Sequence, residues 1–371
     1  MKVFAYLKEK FFALPAFKKA VVVGSLLILI GICAWTGYLI GAGKLGAINQ
    51  TLFSKGEVIS GVAEEPKDTP NPIDGVLFKK SETEAWIHRI PLAVMVENHT
   101  DARPQSGLSK AEVVYEALAE GGITRFMAVF LQEDTKMGPI RSARPYYLDW
   151  AVEYGAAYVH FGGSPDALDK INQYHIKDLN GLTIGPPTFE RTSARPAPHN
   201  VYSTTDKLRG QADARGYKPE TITLWKFLDD KEIPTRDKRP ATFNIKLGFL
   251  GTYAYDDEWH YNPDSNSYVR FSQGKASIDA ETNTQLEVKT VVVQTVSNYP
   301  DPSGHSRLQM NTVGSGDAKV FENGTVVEGT WKKDSRTSRT LFLDKNGTEI
   351  KLNRGKIWIA IIPPGSSFTY P

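Results

Sequence analysis

Residues 91–132 read PLAVMVENHTDARPQSGLSKAEVVYEALAEGGITRFMAVFLQ, and this stretch sets the fold class. Pro91–Asn98 is a short apolar run of strand length. Ser109-Lys110-Ala111-Glu112 has capping-box spacing: the serine oxygen can take the Glu112 amide while the carboxylate reaches back. A helix is therefore predicted from Ser109 to Glu120, ended by Gly121-Gly122. Ile123–Gln132 is again apolar and strand-like. Strand, helix, strand in that order predicts a mixed α/β domain.

The pattern continues downstream. Ala156–Phe161 (AAYVHF) reads as a third strand, and Ser164-Pro165-Asp166 starts a helix, with serine at the cap, proline at the first position and an acid in the first turn. Leu224–Pro240 (LWKFLDDKEIPTRDKRP) is charged and carries prolines, the composition of a linker. Beyond it the signals become those of strands: Val288–Val296, Ala318–Glu322, Val326–Lys332, Thr340–Leu343 and Lys356–Ile362. Asn323-Gly324 and Asn346-Gly347 are two-residue hairpin signals.

Upstream, Ala20–Ile40 (AVVVGSLLILIGICAWTGYLI) carries no charge. At ~1.5 Å per helical residue it would span ~31 Å, about one hydrocarbon core. Residues 1–19 hold five lysines against Glu9, a balance of +4 in a chain of net charge +2. The positive-inside rule places this head in the cytoplasm and the bulk of the chain outside. The span is longer than the apolar core of a signal peptide, which favours an uncleaved anchor over cleavage near Gly41-Ala42-Gly43. The expected organisation is a basic head (1–19), a transmembrane anchor (20–42), a flexible tether (43–85), a mixed α/β domain (86–228), a linker (229–240) and a mainly antiparallel β domain (241–371). The fold class is α+β with one amino-terminal transmembrane helix.

Composition excludes several functions. Cys33 is the single cysteine and lies inside the apolar span, so no disulfide, thiolate zinc site or external cysteine nucleophile is available. Without its head the chain is slightly acidic, which removes the electrostatic basis for nucleic-acid binding. No phosphate loop, zinc-protease helix or nucleophile elbow is present. Ser272-Gln273-Gly274-Lys275 matches the serine–lysine motif of penicillin-binding enzymes. That motif needs a helix, and here it lies between strand-like segments. Asp256–His260 (DDEWH) reads as a solvated turn rather than a metal site. No cofactor and no metal are expected.

One feature stands out. Ala-Arg-Pro occurs three times, at 102–104, 143–145 and 194–196. A residue before proline is pushed toward extended conformations, so each arginine should project from a stiff loop. Residues 101–200 hold six arginines and four lysines, whereas the whole chain favours lysine. A planar guanidinium is preferred where carboxylate or phosphate is held in fixed geometry. Candidate ligand-binding residues are Arg103, Arg141, Arg144, Arg195, Glu97, Asn98, His160, His199 and Asn200, with His99, Arg125 and Asp149 nearby in sequence. The competing reading has the arginines pinning loops against Glu112, Glu116 and Glu120, and His160 as a satisfied buried histidine.

At these residues the chain resembles the bacterial YerB-like family of cell-envelope proteins, a group of unknown function. The stretches that carry the resemblance are PLAVMVENHTDARPQSGLSKAEVVYEALAEGGITRFMAVF, GPIRSARPYYLDWAVEYGAAYVHFGGSP, RPAPHNVY, NGTVVEGTWKK and GKIWIAIIP. The resemblance covers about 85–371 and implies two adjoining family domains, the first α/β and the second β-rich. Such proteins are commonly described as lipoproteins. Ile32 before Cys33 spoils a lipobox, so the apolar span replaces lipidation as the expected anchor. Arg141–Arg144 before Tyr146-Tyr147 also resembles, more distantly, the arginine grip of LytR-CpsA-Psr enzymes on a lipid pyrophosphate.

The function expected from sequence is a single-pass, extracytoplasmic cell-membrane protein that binds an anionic envelope ligand: a glycan phosphate, a lipid-linked precursor or a peptide carboxylate. The alternatives are a transferase or hydrolase acting on such a ligand, with His160, His199 or Asp149 as acid/base, and a module that docks an envelope protein and uses its arginines structurally.

Overall fold

Leu92–Glu97 (β1), Val113–Leu118 (β2) and Thr124–Phe130 (β3) are buried at every position, as strands covered on both faces must be. They form the middle of a ten-stranded sheet completed by Ala157–His160 (β4), Asp178–Asn180 (β5), Thr290–Thr295 (β6), Gly314–Glu322 (β7), Thr325–Lys333 (β8), Leu341–Asp344 (β9) and Ile357–Ile362 (β10). The order across the sheet is β9-β8-β7-β6-β10-β2-β3-β1-β4-β5. β10 lies parallel to both β6 and β2, and β4 lies parallel to both β1 and β5. The computed structural model describes residues 15–18, 64–250, 253–302 and 304–371. The expected anchor at 20–42 lies outside them. Among the described residues no helix is long and apolar enough to cross a membrane.

Alternation along the strands sorts the side chains into two cores. Ala93, Met95, Tyr115, Met127, Tyr158 and Ile359 face one side, where Tyr146, Tyr147 and Trp150 of helix Pro145–Ala151 (α1) pack. Tyr146 and Tyr147 donate their hydroxyls to the carbonyls of Leu118 and Arg125, both at 2.6 Å. Leu92, Val94, Val96, Phe126, Ala128 and Trp358 face the other side. There they meet Leu208 and Ala212 of helix Thr205–Ala214 (α3), together with Trp259 and Tyr268. The last two belong to a second, six-stranded sheet that includes Asp257–Asn262 and Ser267–Ser272. The chain is thus α+β with a β-rich carboxy-terminal region, as expected.

Three expectations are corrected. Residues 113–118 form a strand, not a helix, preceded by one short 3-10 turn at Leu108–Lys110. The Ser109 amide is taken by Asp279 (2.7 Å), and the Glu112 carboxylate accepts the amides of Leu131 and Gln132, so the capping box never closes. Gly121-Gly122, both at positive φ, turn the β2–β3 hairpin instead of ending a helix. The tether is shorter than drawn. Asn71 and Ile73 are fully buried, and Lys67–Pro70 pairs with Leu77–Lys79, so the fold includes residues from 66 onward.

The division at 229–240 is not a division between compact units. Residues 66–371 form one unit, because β10 of the carboxy-terminal half inserts beside β2 of the amino-terminal half with Ile357 opposite Val113. Trp225, inside the stretch expected to be a linker, is buried and donates its indole N–H to the Thr340 carbonyl.

Other expectations hold. Helix Pro165–Gln173 (α2) starts where predicted, with Ser164 accepting the Ala167 amide. Asn323 and Gly324 both take positive φ in the β7–β8 hairpin. Asn346-Gly347 departs, since only Gly347 is at positive φ. Ser272–Lys275 is a hairpin turn with no helix. Asp256–His260, expected as a solvated turn, is instead mostly strand, and Asp257 is buried there against Arg270.

Candidate functional site

The carboxy-terminal end of β1 delivers Glu97, Asn98 and His99 into a cluster of loops, the position where parallel strands of α/β sheets present ligand groups. Asn98 organises it from below. Its amide donates to Glu116 (3.1 Å) and Thr124 (2.7 Å), and its oxygen accepts from Arg103 (3.1 Å) and Gln105 (3.0 Å). A short 3-10 turn, Thr100–Ala102, carries Asp101 beside His99.

Residues 138–141 run antiparallel to the end of β1. The Glu97 amide donates to the Pro139 carbonyl and the Arg141 amide to the Met95 carbonyl, both at 2.9 Å. Arg141 Nε thereby comes within 3.0 Å of Glu97 Oε1. From another loop, His199 Nδ1 reaches within 3.0 Å of Glu97 Oε2, and the His199 ring stacks on His99 at 4.7 Å. Asn200 ties that loop together through Arg191, Thr192 and Arg195. Gly138 is required for the approach: a Cβ there would lie 2.7 Å from the Val201 carbonyl, and its φ is +147°.

Two of the three Ala-Arg-Pro loops meet directly. Arg195 donates to the carbonyls of Ala102 and Pro104, which flank Arg103, and to the Tyr202 hydroxyl. Arg103 donates to Ser272 (3.0 Å) and the Ala254 carbonyl (2.8 Å) and lies over the Tyr255 ring. Arg191 is exposed, lies over Phe161 and donates to Asn200. Arg103, Arg191 and Arg195 are therefore held by neutral oxygens, and none of the three has a carboxylate within ion-pair distance among the described residues. Burial, then Arg270, lowers the pKa of Arg103, and burial, with Arg125 and Arg191, lowers that of Arg141 against the pull of Glu97.

The third loop turns inward, which corrects the expectation for Arg144. Its backbone is extended as predicted (φ −134°, ψ 146°), but the side chain is buried and grips both Glu120 and the Ala143 carbonyl. Arg125 takes the other Glu120 oxygen at 2.6 Å. Burial alone would raise the Glu120 pKa, yet Arg125 and Arg144 overcome it and hold it at about 2. His160 is also corrected: it is fully buried, with one ring nitrogen on the Gly162 carbonyl and the other on Asp178, each at 2.7 Å. Asp149 lies apart, accepting from Thr312. Sequence reasoning did not single out Arg191 or Asp101. The signal was present, since Asp101 sits between His99 and Arg103 and Arg191 lies four residues before Arg195.

A cavity of about 610 Å³ lies away from this cluster. Its walls mix Lys110, Lys289 and Lys356 with Asp74, Glu112, Glu133 and Glu287. Opposite charges there compensate one another. In the loop cluster, by contrast, Arg103, Arg191 and Arg195 have neutral partners only.

The comparisons agree with the resemblance read from the sequence. Residues 79–218 match the "protein of unknown function (DUF3048) N-terminal domain" and residues 245–359 the corresponding C-terminal domain. The Bacillus subtilis protein named "Putative lipoprotein YerB" is 32% identical over 308 residues, covering 81% of this chain and 88% of that one. The crystal structure of Bacillus subtilis YerB superposes with a TM-score of 0.72 at 30% identity, covering 81% of this chain and all of that one. The chain therefore belongs to the YerB-like family defined by these two domains of unknown function.

Proposed function

We propose that the protein is a membrane-associated, extracytoplasmic binding protein for an anionic envelope ligand carrying phosphate. The observation that carries this reading is the set Arg103, Arg191 and Arg195, three arginines of one loop cluster whose partners are neutral oxygens and aromatic rings rather than carboxylates. Stiff loops that already contact each other lose little entropy on binding. An anion would complete the charge balance that carboxylates complete elsewhere in the molecule. The basic head, the uncharged span at 20–40 and the lipoprotein name of the Bacillus subtilis relative all support a membrane-associated, outward-facing location.

The full chain in detergent, titrated with inorganic pyrophosphate, tests the site. Arg191→Gln and Arg195→Gln should each weaken binding roughly ten- to a hundredfold, since a charge-assisted hydrogen bond contributes about 1.5–3 kcal/mol. Equal affinity for wild type and both variants would remove the site. Protease treatment of wall-stripped cells tests the location: residues beyond 44 should be digested from outside, and their protection would reverse the orientation.

A further inference from the structure

We propose that His99, Asp101 and His199 form a divalent transition-metal site of the Zn²⁺ class, with Glu97 as the positioning residue behind His199. One ligand atom from each of the three lies within 4.8 Å of the others. Metal–donor bonds of ~2.0–2.2 Å need donors ~3–4 Å apart, so closure requires movements of about an ångström. Asp101 has the most room to move, its side chain 64% exposed; that of His99 is 30% exposed, with Nδ1 accepting the Asp101 amide at 3.2 Å.

A second observation concerns the side chains behind His199. Glu97 Oε2, Arg141 Nε and His199 Nδ1 are all buried, and none has a hydrogen bond of acceptable geometry, although Glu97 stands within ion-pair distance of both neighbours. A histidine that ligates a metal typically gives its other ring N–H to a carboxylate, which fixes the ring and raises its basicity. Glu97 is placed for that role. It is 3% exposed, its Oε1 is neutralised by Arg141, and its Oε2 faces His199 Nδ1 at 3.0 Å. This leaves the other nitrogen of His199 for the metal.

The donor set selects the ion. Two imidazoles and one carboxylate suit zinc and its neighbours, whereas calcium and magnesium prefer oxygen donors throughout. Three protein ligands leave a coordination position open, and Arg103 and Arg195 belong to the same loops. A metal and guanidiniums together would grip one phosphate oxygen set. The metal site rests on the same loop cluster as the proposed function, but it stands or falls on cation binding alone.

The test uses the full untagged chain in detergent, freed of metal with a chelator and titrated with Zn²⁺ by calorimetry. One equivalent should bind with micromolar affinity or better, and Co²⁺ in its place should give the visible absorption of a low-symmetry N/O site. H99A and H199A should each weaken Zn²⁺ binding at least tenfold. E97Q should weaken it ten- to a hundredfold. H88A, which changes an exposed histidine outside the cluster, should leave it unchanged. Thermal melts in metal-free buffer show that each variant folds, and Zn²⁺ should raise the melting temperature of wild type but not of H99A/H199A. No binding at 100 µM Zn²⁺, or undiminished binding by H99A/H199A, overturns the site. Pyrophosphate binding by the metal-free wild type separates the two readings. If it persists while Zn²⁺ binding is absent, the anion site survives and the metal site does not; the converse result removes the anion site alone.

Discussion

Replacing Arg270 with methionine should be among the most damaging single changes in the molecule. Arg270 is 2% exposed and bridges two carboxylates that are themselves buried, Asp257 and Glu116. Its Nε donates to Asp257 at 3.1 Å, its Nη2 reaches Glu116 at 3.2 Å, and its Nη1 donates to Ser277 at 2.9 Å. The guanidinium also lies 5.0 Å from the Trp358 ring centre. Methionine preserves most of the length but leaves two acids facing each other. Glu116 keeps Asn98, Thr124 and Trp358 as donors, so Asp257 takes the larger loss. Breaking a buried ion pair by removing one partner costs about 3–5 kcal/mol. With an unfolding entropy of about 2.1 cal/mol/K per residue over residues 66–371, that is a fall in melting temperature of roughly 5–8 °C. The sign with pH follows. Burial already raises the Asp257 pKa, and loss of Arg270 raises it further. A group raised in the folded state stabilises below its unfolded pKa and loses that contribution as pH rises. The deficit of R270M should therefore be largest at pH 8 and shrink toward pH 4.5. Differential scanning calorimetry at both pH values reads this. A fall under about 2 °C at pH 8, or a deficit that grows in acid, would refute the reasoning. R270M/E116Q/D257N should recover much of the loss, because no buried charge is left unpaired.

Arg144→Lys should lower the melting temperature by a few degrees and leave pyrophosphate affinity unchanged, because Arg144 is spent on Glu120; calorimetry and titration of one preparation check both. Burial, reinforced by Glu112, pushes the Asp74 carboxyl up to about 7, so its contribution is full below about pH 4 and lost as pH rises through 7; Asp74→Asn should gain on wild type at pH 8 by about 2 kcal/mol or more, and equal urea midpoints at pH 8 would contradict this. Glu120, held at about 2, contributes in the opposite sense: that part of the stability is present above about pH 4.5 and disappears as pH falls toward 2, a loss that Glu120→Gln should abolish in acid urea titrations. Gly138→Ala should strain the segment that seats Arg141 and lower the melting temperature measurably, since both its φ and the Val201 carbonyl oppose a side chain; an unchanged melt would show that the segment can shift.

What the sequence shows and what it hides divide along one physical line. β1, β3, β4 and the strands after 288 are legible because each is a local apolar run bounded by turn residues. β2 is not, because Val113–Leu118 becomes a strand through partners on both sides, one of them more than 240 residues away at Ile357–Ile361. Nothing within the window of a capping box reports that pairing, and the local Ser109–Glu112 signal loses to it. For Arg144 the competing reading, an arginine pinned against a glutamate, is the one that holds: with Glu120 in a hairpin turn beside β3, Arg125 and Arg144 close on it from both sides. The cluster itself was legible in kind, as arginines before prolines near histidines. It was not legible in membership, because His99 and His199 stand a hundred residues apart and meet only where the end of β1 faces the loop before Val201. Of the three repeated motifs, the one followed by a helix is tied to Glu120, and the two that remain in loops are tied to each other. An Ala-Arg-Pro sequence fixes the backbone of its arginine, but which partner that arginine meets is decided by the sheet.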